Sequence, residues 1–548
     1  MKKTITILLL AMCISCSGNK STTVITNING YTLTEDGLEQ FSTLVFRDGK
    51  VVETGGDEIK NSYKGEVVDG EGKTLIPGLI DAHGHVMGLG FQQLEVNLSG
   101  ITSLEETLEE VKRYADENPE LEWIKGRGWN QTMWAENEFP TASDLDRIVS
   151  DRPVWLSRVD GHADWGNSMA LRLAGISQDT PDPQGGKIIR DERGNATGIF
   201  IDAAGGYVNS VIPETTSAER KLALEKALEQ MAKMGITSVH DAGVGVDAWN
   251  LYKDFADQGL LTGRIYGMIS GAGNIFDSLS VNGPIESYAE DFLALRSVKL
   301  YSDGALGSRG AAMLEPYNDD PGNKGLLFVS QDEMNEMVSK VIGKGFQANV
   351  HAIGDAGNRQ VLDSFEYALE QHGDNGLRNR VEHAQIVEIG DIPRFKELNI
   401  IASMQPTHAT SDKNMAEDRV GPQRILGGYA WQTFLNQGTI VASGSDFPVE
   451  HSNPFYGLYS AVTRMGHDGE PEGGWYSNEA LTREQALRSF TLDAAYAGHQ
   501  EEMLGSLEAG KWADFIIIDQ DYFEAPDSEL WKIEVLETWV AGKKVFKK

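Results

Sequence analysis

The sequence predicts an α/β protein built on a (β/α)8 TIM barrel. Eight short apolar runs, each typical of a buried strand, follow one another along the 548 residues. Six of these runs contain or directly precede a candidate ligand or acid/base group, and the carboxyl ends of barrel strands are where barrel enzymes carry their chemistry. A chain of this length fits one large barrel with additions. The eight runs are 75–80, 235–240, 264–270, 297–301, 347–351, 380–383, 400–408 and 439–446.

The first strand ends in the run Asp81-Ala82-His83-Gly84-His85. Residues two apart in a strand share a face, so His83 and His85 can converge on one metal ion. Imidazoles also bind water, carboxylates and backbone carbonyls, so the pair alone fits either metal ligation or a structural role.

The later strand ends add further candidates in a fixed order. Lys299 lies in the fourth strand, His351 ends the fifth, and His383 ends the sixth. His408 lies at the tip of the seventh run and Asp446 ends the eighth. The sequence therefore places candidate metal ligands on the first, fourth, fifth, sixth and eighth strands.

This order of His-x-His, Lys, His, His and Asp resembles the binuclear metal site of the amidohydrolase superfamily, over nearly the whole mature chain. Four further motifs narrow the resemblance to amidohydrolase family 3 and the N-substituted formamide deformylase group. Neither resemblance defines a substrate, because one fold carries many reactions. The motifs are GRGWN at 126–130, DGH at 160–162, DGALGSR at 303–309 and GSDFP at 444–448.

The resemblance implies two divalent ions and a modified lysine. An ammonium pointing into a barrel beside cations is unfavourable, so Lys299 is expected to react with CO2 and bridge the ions as a carbamate. Imidazole and oxygen donors suit zinc, with manganese, cobalt or iron as alternatives. An uncharged or salt-bridged Lys299 with a single ion stays open. In the expected arrangement one ion is bound by His83, His85 and Asp446, and the other by His351 and His383.

The activity implied is hydrolysis of a C-N bond other than a peptide bond, in an amide, N-formyl, N-acyl or cyclic amide substrate. A hydroxide shared by the ions adds to the carbonyl carbon, and Asp446 accepts its proton and passes it to the departing nitrogen. His408 is expected to stabilise the oxyanion, or else to make a hydrogen bond at the rim. Ester or lactone hydrolysis, isomerisation, and a catalytically inactive metal- or solute-binding lipoprotein are the alternative functions.

A long stretch between the first and second barrel strands is interpreted as an inserted α/β subdomain, residues 91–225, because βα loops normally take only about 2–6 residues. It leaves the catalytic rim, so we expect it to roof the active site and to supply Trp129, His162 and Trp165 for substrate binding. The alternative assigns both tryptophans to the core and a capping role to His162.

One residue at the end of the fourth strand and one after it are further substrate-binding candidates. Tyr301 shares the inward face of Lys299. Arg309 follows a glycine-rich segment and is able to bind a substrate carboxylate in bidentate fashion, or to form an ordinary salt bridge.

The first 21 residues are interpreted as a lipoprotein signal peptide and tether. Lys2 and Lys3 precede an apolar stretch that is too short to span a bilayer. The run Ile14-Ser15-Cys16 resembles a lipobox, which implies acylation of Cys16 and an envelope location at the outer membrane. A plain secretory signal is the alternative. Both cysteines lie in this leader, so the mature protein has no disulfide.

Short β-branched runs with turn signals fill residues 22–73 and 499–548, and the resemblance implies that both ends combine into one small β-sandwich. The first barrel strand is assigned to 74–90 and the rest of the barrel to 226–498. The net charge of -34 argues against a nucleic-acid partner, which needs clustered basic residues. The expected partner is a small amide-type molecule, with membrane contact only through the lipid anchor, and a homo-oligomer stays open.

Overall fold

The structure of the protein is a computed structural model that describes residues 22–548 except 136, 160, 162, 184 and 185. The predicted leader, the predicted lipidation site Cys16 and the candidate His162 lie outside the described residues. No helix in the described part of the chain is long and apolar enough to cross a membrane.

The described part of the chain starts with seven short strands that precede the barrel. These strands are β1 (Thr22–Thr26), β2 (Asn29–Thr34), β3 (Gly37–Phe41), β4 (Thr43–Arg47), β5 (Lys50–Gly55), β6 (Glu66–Asp69) and β7 (Thr74–Pro77). Tight turns such as Asp48-Gly49 join β2 to β3 and β4 to β5 in antiparallel hairpins, whereas β6 and β7 pair in parallel with β1 and β2.

The inserted subdomain follows the first barrel strand, β8 (Leu79–Gly84), and helix α1 (Val86–Gln93). It contains a six-stranded sheet, in the order β13-β14-β12-β11-β10-β9, with its own apolar core. Its strands are β9 (Val96–Asn97), β10 (Ile124–Trp129), β11 (Val154–Arg158), β12 (Ala163–Gly166), β13 (Gly186–Arg190) and β14 (Ala196–Asp202); its helices are α2 (Leu104–Glu117), α3 (Ala142–Asp146), α4 (Ser168–Leu173) and α5 (Gly206–Asn209).

The barrel resumes with α6 (Ser217–Lys233), whose start is a reciprocal capping box between Thr216 and Glu219. The remaining barrel strands are parallel to β8 and are buried on both faces, as the apolar runs predict. The strands are β15 (Ile236–Val244), β16 (Arg264–Ser270), β18 (Leu293–Tyr301), β19 (Gln347–Ala352), β20 (Arg380–His383), β21 (Ile401–Met404) and β22 (Val441–Ser443), with β17 (Ile285–Tyr288) added antiparallel to β18.

Helices connect these strands around the outside of the barrel. They are α7 (Val246–Asp257), α8 (Asn274–Leu279), α9 (Gln331–Gly343), α10 (Asp355–His372), α11 (Ile392–Glu397), α12 (Pro406–Asp412), α13 (Ala416–Arg424), α14 (Trp431–Asn436), α15 (Pro454–Thr463), α16 (Arg483–Ser489) and α17 (Leu492–Ala497).

The strands at the two chain ends combine as expected. The C-terminal strands are β23 (Phe515–Ile518), β24 (Val535–Val540) and β25 (Lys543–Lys547). They extend a six-stranded sheet, β25-β24-β23-β7-β2-β3, beside the four-stranded sheet β5-β4-β1-β6. Leu44, Phe46, Phe515 and Trp539 are part of the apolar core that the two ends share. The predicted (β/α)8 barrel with a composite β-sandwich and a long insertion is confirmed.

One predicted strand is divided between two sheets. The apolar run assigned to the first barrel strand begins with Thr74–Pro77, which pairs with β2 and β23 of the sandwich. The chain crosses at Gly78, where a Cβ would meet the Thr237 side chain at 2.3 Å, and only Leu79–Gly84 lies in the barrel. An apolar pattern reports burial but not which sheet a strand joins.

A buried ion pair joins the barrel to the sandwich. Arg264, at the start of β16, donates from Nε to Asp514 Oδ2 at 2.7 Å and from Nη2 to Asp514 Oδ1 at 3.1 Å. Asp514 also accepts the amide of Ala541 at 2.6 Å. The Arg264 side chain is fully buried and lies over the rings of Phe292 and Trp512.

We expect Arg264→Gln to lower the free energy of unfolding by about 3–5 kcal/mol, because it leaves the Asp514 carboxylate buried without its partner. The measurement is the midpoint of urea unfolding followed by fluorescence. The matched control is Arg113→Gln, because Arg113 pairs with Glu110 and Glu117 at the surface and its loss is expected to leave the midpoint unchanged. Equal midpoints for the two variants would contradict the assignment.

Candidate metal centre

The carboxyl ends of the barrel strands surround one cavity of about 580 Å³. The residues predicted as ligands come from five strands, and parallel barrel strands bring their carboxyl ends to the same rim. All six predicted metal ligands line this cavity: His83, His85, Lys299, His351, His383 and Asp446.

The first and eighth strands meet through their backbones at this rim. The amide of Asp446 donates to His83 O at 2.7 Å, and the amide of His85 donates to Phe447 O at 2.8 Å. Asp446 has a φ of 60°, a left-handed conformation that Asp adopts more readily than most residues. These bonds bring the Asp446 carboxylate beside the two histidines of the first strand.

The His83 ring is oriented by a buried carboxylate. Glu382 Oε2 lies 2.5 Å from His83 Nδ1, so Nε2 of the same ring faces the cavity. Burial would raise the pKa of Glu382, but His83 and Arg380 outweigh it and lower that pKa to about 2. Glu382 is therefore charged and holds His83 with its Nε2 available as a ligand atom.

A second imidazole is oriented by an amide. His383 Nδ1 lies 2.7 Å from Gln405 Oε1, which makes Nδ1 the protonated nitrogen and leaves Nε2 as the ligand atom. The His383 ring centroid lies 4.9 Å from that of His83 and 4.6 Å from that of His351. The His351 Nε2 atom lies 3.6 Å from the buried carboxylate of Asp303.

The carboxylate of Asp446 completes the cluster. Its Oδ1 atom lies 3.0 Å from His85 Nε2 and 3.7 Å from His83 Nε2. Burial would raise the pKa of Asp446, but the contact with His85 and the charges of His83 and His408 outweigh it and hold the pKa well below its usual range. One ligand atom each from His83, His383 and Asp446 lie within 4.8 Å of one another, which fits a divalent ion bound by imidazole and carboxylate.

Lys299 lies within this cluster. Its side chain is buried, and Nζ lies 3.1 Å from His83 Nε2. Burial lowers the pKa of Lys299 to about 8, against the opposing charges of Glu382 and Asp446. The structure therefore brings the lysine to the position where the sequence predicts a bridging group.

His408 lines the cavity but is not at a strand tip. The seventh strand ends at Met404, and His408 belongs to helix α12. Its Nε2 atom is buried, lies 3.9 Å from Asp446 Oδ2 and has no hydrogen-bond partner among the described residues. An imidazole nitrogen in this place can donate to a substrate atom beside Asp446.

The substrate-binding predictions are only partly supported. Tyr301 lines the cavity, and its ring lies 5.5 Å from that of His351. Arg309 does not line it and instead pairs with Asp319 at 2.9 Å, so the salt-bridge alternative describes this residue.

Trp129 and Trp165 are core residues and not the substrate contacts that the sequence predicted. Both side chains are fully buried in the insertion core, and their Nε1 atoms donate to Leu156 O and Thr141 O. No described residue of the insertion lines the cavity. The insertion follows the first strand, as the sequence predicts, but its sheet buries its own aromatic residues. The described residues that line the cleft come from the barrel strands and the loops and helices that follow them.

Several buried residues that orient the ligands were missed by the sequence reasoning. Asp81 accepts the amides of His83 and Ser445, and Glu382 and Gln405 fix the two imidazoles described above. Asp303 accepts the amides of Ile353 and Gly354, next to the fifth strand. The available signal was position, since each of these polar residues lies in or next to the end of a barrel strand.

The chain matches a model described as "Amidohydrolase family" over residues 66–546. It is 33% identical over 535 residues to Protein LONG AFTER FAR-RED 3 of Arabidopsis thaliana, covering 94% of this chain and 91% of the relative. It is 29% identical to N-substituted formamide deformylase of Arthrobacter pascens, covering 87% and 89%. A crystal structure of an uncharacterized metal-dependent hydrolase from Pyrococcus horikoshii has a TM-score of 0.77 at 29% identity, covering 92% of this chain and 99% of that one.

We expect Glu382→Gln to weaken metal binding by about 10–100-fold, because glutamine keeps the volume but loses the charge that orients His83. The measurement is a competition titration of metal-depleted protein against a chromophoric chelator. Glu388→Gln is the matched control, since Glu388 is exposed and pairs with Arg359 at 3.4 Å. If both variants bind the metal as tightly as the parent, Glu382 does not support the site.

Proposed function

This chain belongs to the amidohydrolase family and is a metal-dependent hydrolase, and from that premise we propose that it hydrolyses the C-N bond of a small amide, N-formyl, N-acyl or cyclic amide substrate. The observation that carries the proposal is the convergence of His83, His383 and Asp446 within 4.8 Å of one another in an open cleft. The resemblance to an N-substituted formamide deformylase favours an amide bond over the other carbonyl substrates.

The chemistry of the donor set fits divalent metal. His83, His85, His351, His383 and Asp446 would hold one or two ions, and imidazole with carboxylate oxygen suits zinc. Such ions supply water that ionises near neutral pH and polarise a carbonyl group.

We further propose that the Lys299 amine adds CO2 and loses a proton to become a carbamate. The side chain is buried among four imidazoles, where an ammonium would repel any cation bound by His83 and His383. A carbamate replaces that positive charge with an anionic oxygen donor. An unmodified Lys299 beside a single ion is the competing arrangement, and ¹³C-labelled CO2 with NMR separates the two.

Residues of the cleft carry out proton transfer, stabilisation of the oxyanion and orientation of the ligands. Asp446 takes the proton of the attacking water at its carboxylate and passes it to the departing nitrogen. His408, whose Nε2 is buried without a partner among the described residues, donates a hydrogen bond to the oxygen of the tetrahedral intermediate. Glu382 and Gln405 keep the two imidazoles oriented throughout.

The location of the protein is a separate proposal that rests on its first 21 residues. The basic start, the short apolar stretch and the lipobox-like run before Cys16 support export and attachment to the cell envelope through acyl chains on that cysteine. Replacing Cys16 by alanine would then release the protein from the membrane fraction, which a fractionation blot measures.

We expect Asp446→Asn to reduce kcat about 10²–10⁴-fold at saturating metal, because the amide cannot relay a proton. Much of the metal binding is expected to survive, since the amide oxygen remains a ligand atom. The measurement pairs steady-state kinetics with metal content. A variant that retains near-parental kcat with bound metal would remove Asp446 from the proton transfer.

The reaction class is tested with matched amide and ester panels. The metal-loaded protein is expected to release the amine from amides, to lose activity on chelation and to recover it with zinc. Faster hydrolysis of the matched esters or lactones would favour an esterase. Tight reversible binding without turnover of any carbonyl compound would favour a solute-binding protein.

A further inference from the structure

We propose that the cleft selects amides whose departing amine carries a second, cationic group, and that Glu450 with Asp412 binds this group. The inference rests on the proposed C-N hydrolysis and names its substrate class. Both carboxylates line the same cavity as the candidate metal centre. They follow the seventh and eighth strands, Asp412 at the end of α12 and Glu450 four residues after Asp446.

Neither carboxylate has a cationic partner in the described part of the chain. Asp412 accepts hydrogen bonds from Gln385 Nε2 and the Tyr429 hydroxyl, each at 2.8 Å, and both donors are neutral. Glu450 accepts from the Ser411 hydroxyl. No Lys or Arg among the described residues forms an ion pair with either one. Burial raises the pKa of both carboxyls, which a bound cation would reverse.

Other charged side chains of the cavity also act on the two carboxylates. The charge of His408 lowers the pKa of both carboxyls, and the negative charge of Asp446 raises that of Glu450. Among the described lining residues, Lys299 is the only Lys or Arg, and it lies inside the metal cluster. Outside the metal cluster, a substrate carboxylate would therefore meet no Lys or Arg among the described lining residues, whereas an ammonium would meet two carboxylates.

The position of the acidic pair identifies which half of the substrate it contacts. Asp446 gives the proton to the departing nitrogen, and its Oδ2 atom points towards His408, on the side of the seventh and eighth strands. The fourth strand lies across the barrel from the eighth, and the loop after the fourth strand contributes the apolar residue Leu306 to the lining. The amine half therefore points towards Glu450 and the acyl half towards Leu306.

A different role for the same carboxylates makes a distinct prediction. If Glu450 and Asp412 only set the charge of His408, their loss would change the turnover of every substrate alike. If they bind the substrate cation, their loss would change the ratio of kcat/KM between the cationic and the neutral substrate. This ratio is therefore the readout that separates the two roles.

The test uses N-formyl and N-acetyl derivatives of five-carbon linear amines that differ only in the distal group: ammonium, hydroxyl or carboxylate. The metal-loaded, full-length protein is expected to hydrolyse the cationic amide with a kcat/KM about 10–100-fold above the neutral one, the range of a charge-assisted hydrogen bond. The carboxylate compound is expected to be the poorest.

Two variants and a control test whether Glu450 causes the preference for the cationic amide. Glu450→Gln is expected to reduce the cationic-to-neutral ratio of kcat/KM about tenfold or more. Glu450→Lys is expected to reverse the preference in favour of the carboxylate compound. Glu66→Gln, the same substitution at an exposed position of the sandwich, is the matched control and is expected to leave the ratio unchanged. Thermal midpoints check that each variant folds.

The outcomes separate the two proposals. Equal kcat/KM for the cationic and neutral amides in the parent protein overturns the inference and leaves the proposed function standing, and this comparison needs no variant. A Glu450→Gln variant that loses activity equally on all three amides also overturns it. If the parent hydrolyses no amide at all, the proposed function fails and the inference fails with it.

Discussion

The closure of the barrel between its first and eighth strands is the constraint on which the site depends. Two backbone hydrogen bonds, from Asp446 to His83 and from His85 to Phe447, join these strand ends. Because the bonds involve the ligand residues themselves, the backbone that closes the barrel also fixes the distance between the imidazoles and the carboxylate. Asp81 reinforces this junction by accepting amides from both strands. The candidate metal ligands at this junction are thus placed by backbone hydrogen bonds between two strand ends.

The cluster at this junction is costly to bury, and the protein compensates for it locally. Lys299, His83 and Glu382 lie within a few ångströms of one another with almost no solvent exposure. The attraction between paired charges offsets the free energy of removing them from water only when their geometry and hydrogen bonding are good. Glu382 supplies part of that compensation through its contact with His83, and Arg380, in the same strand as Glu382, lies 3.8 Å from its Oε1 atom. A bound divalent ion would add the remaining positive charge that Asp446 and Glu382 favour.

The additions around the barrel have separate roles. The insertion folds its own sheet around Trp129 and Trp165, which explains why it contributes no described side chain to the cleft. The sandwich at the chain ends covers the opposite end of the strands, where Arg264 pairs with Asp514. Substrate selection is consequently left to the loops after the barrel strands, as is usual for this architecture. Asp412 and Glu450, which form no ion pair with a Lys or Arg among the described residues, follow two of those strands.

The sequence by itself determined the barrel, the sandwich, the insertion and the six residues that line the metal centre. It could do so because buried parallel strands are continuous apolar runs, and because a ligand at a strand end interrupts such a run in a readable place. Only the tertiary structure decided that Thr74–Pro77 belongs to the sandwich, that His408 lies in a helix and that both tryptophans are core. Local patterns report burial and periodicity, whereas the partner that a buried side chain meets, such as Glu382 for His83, depends on contacts between residues hundreds of positions apart.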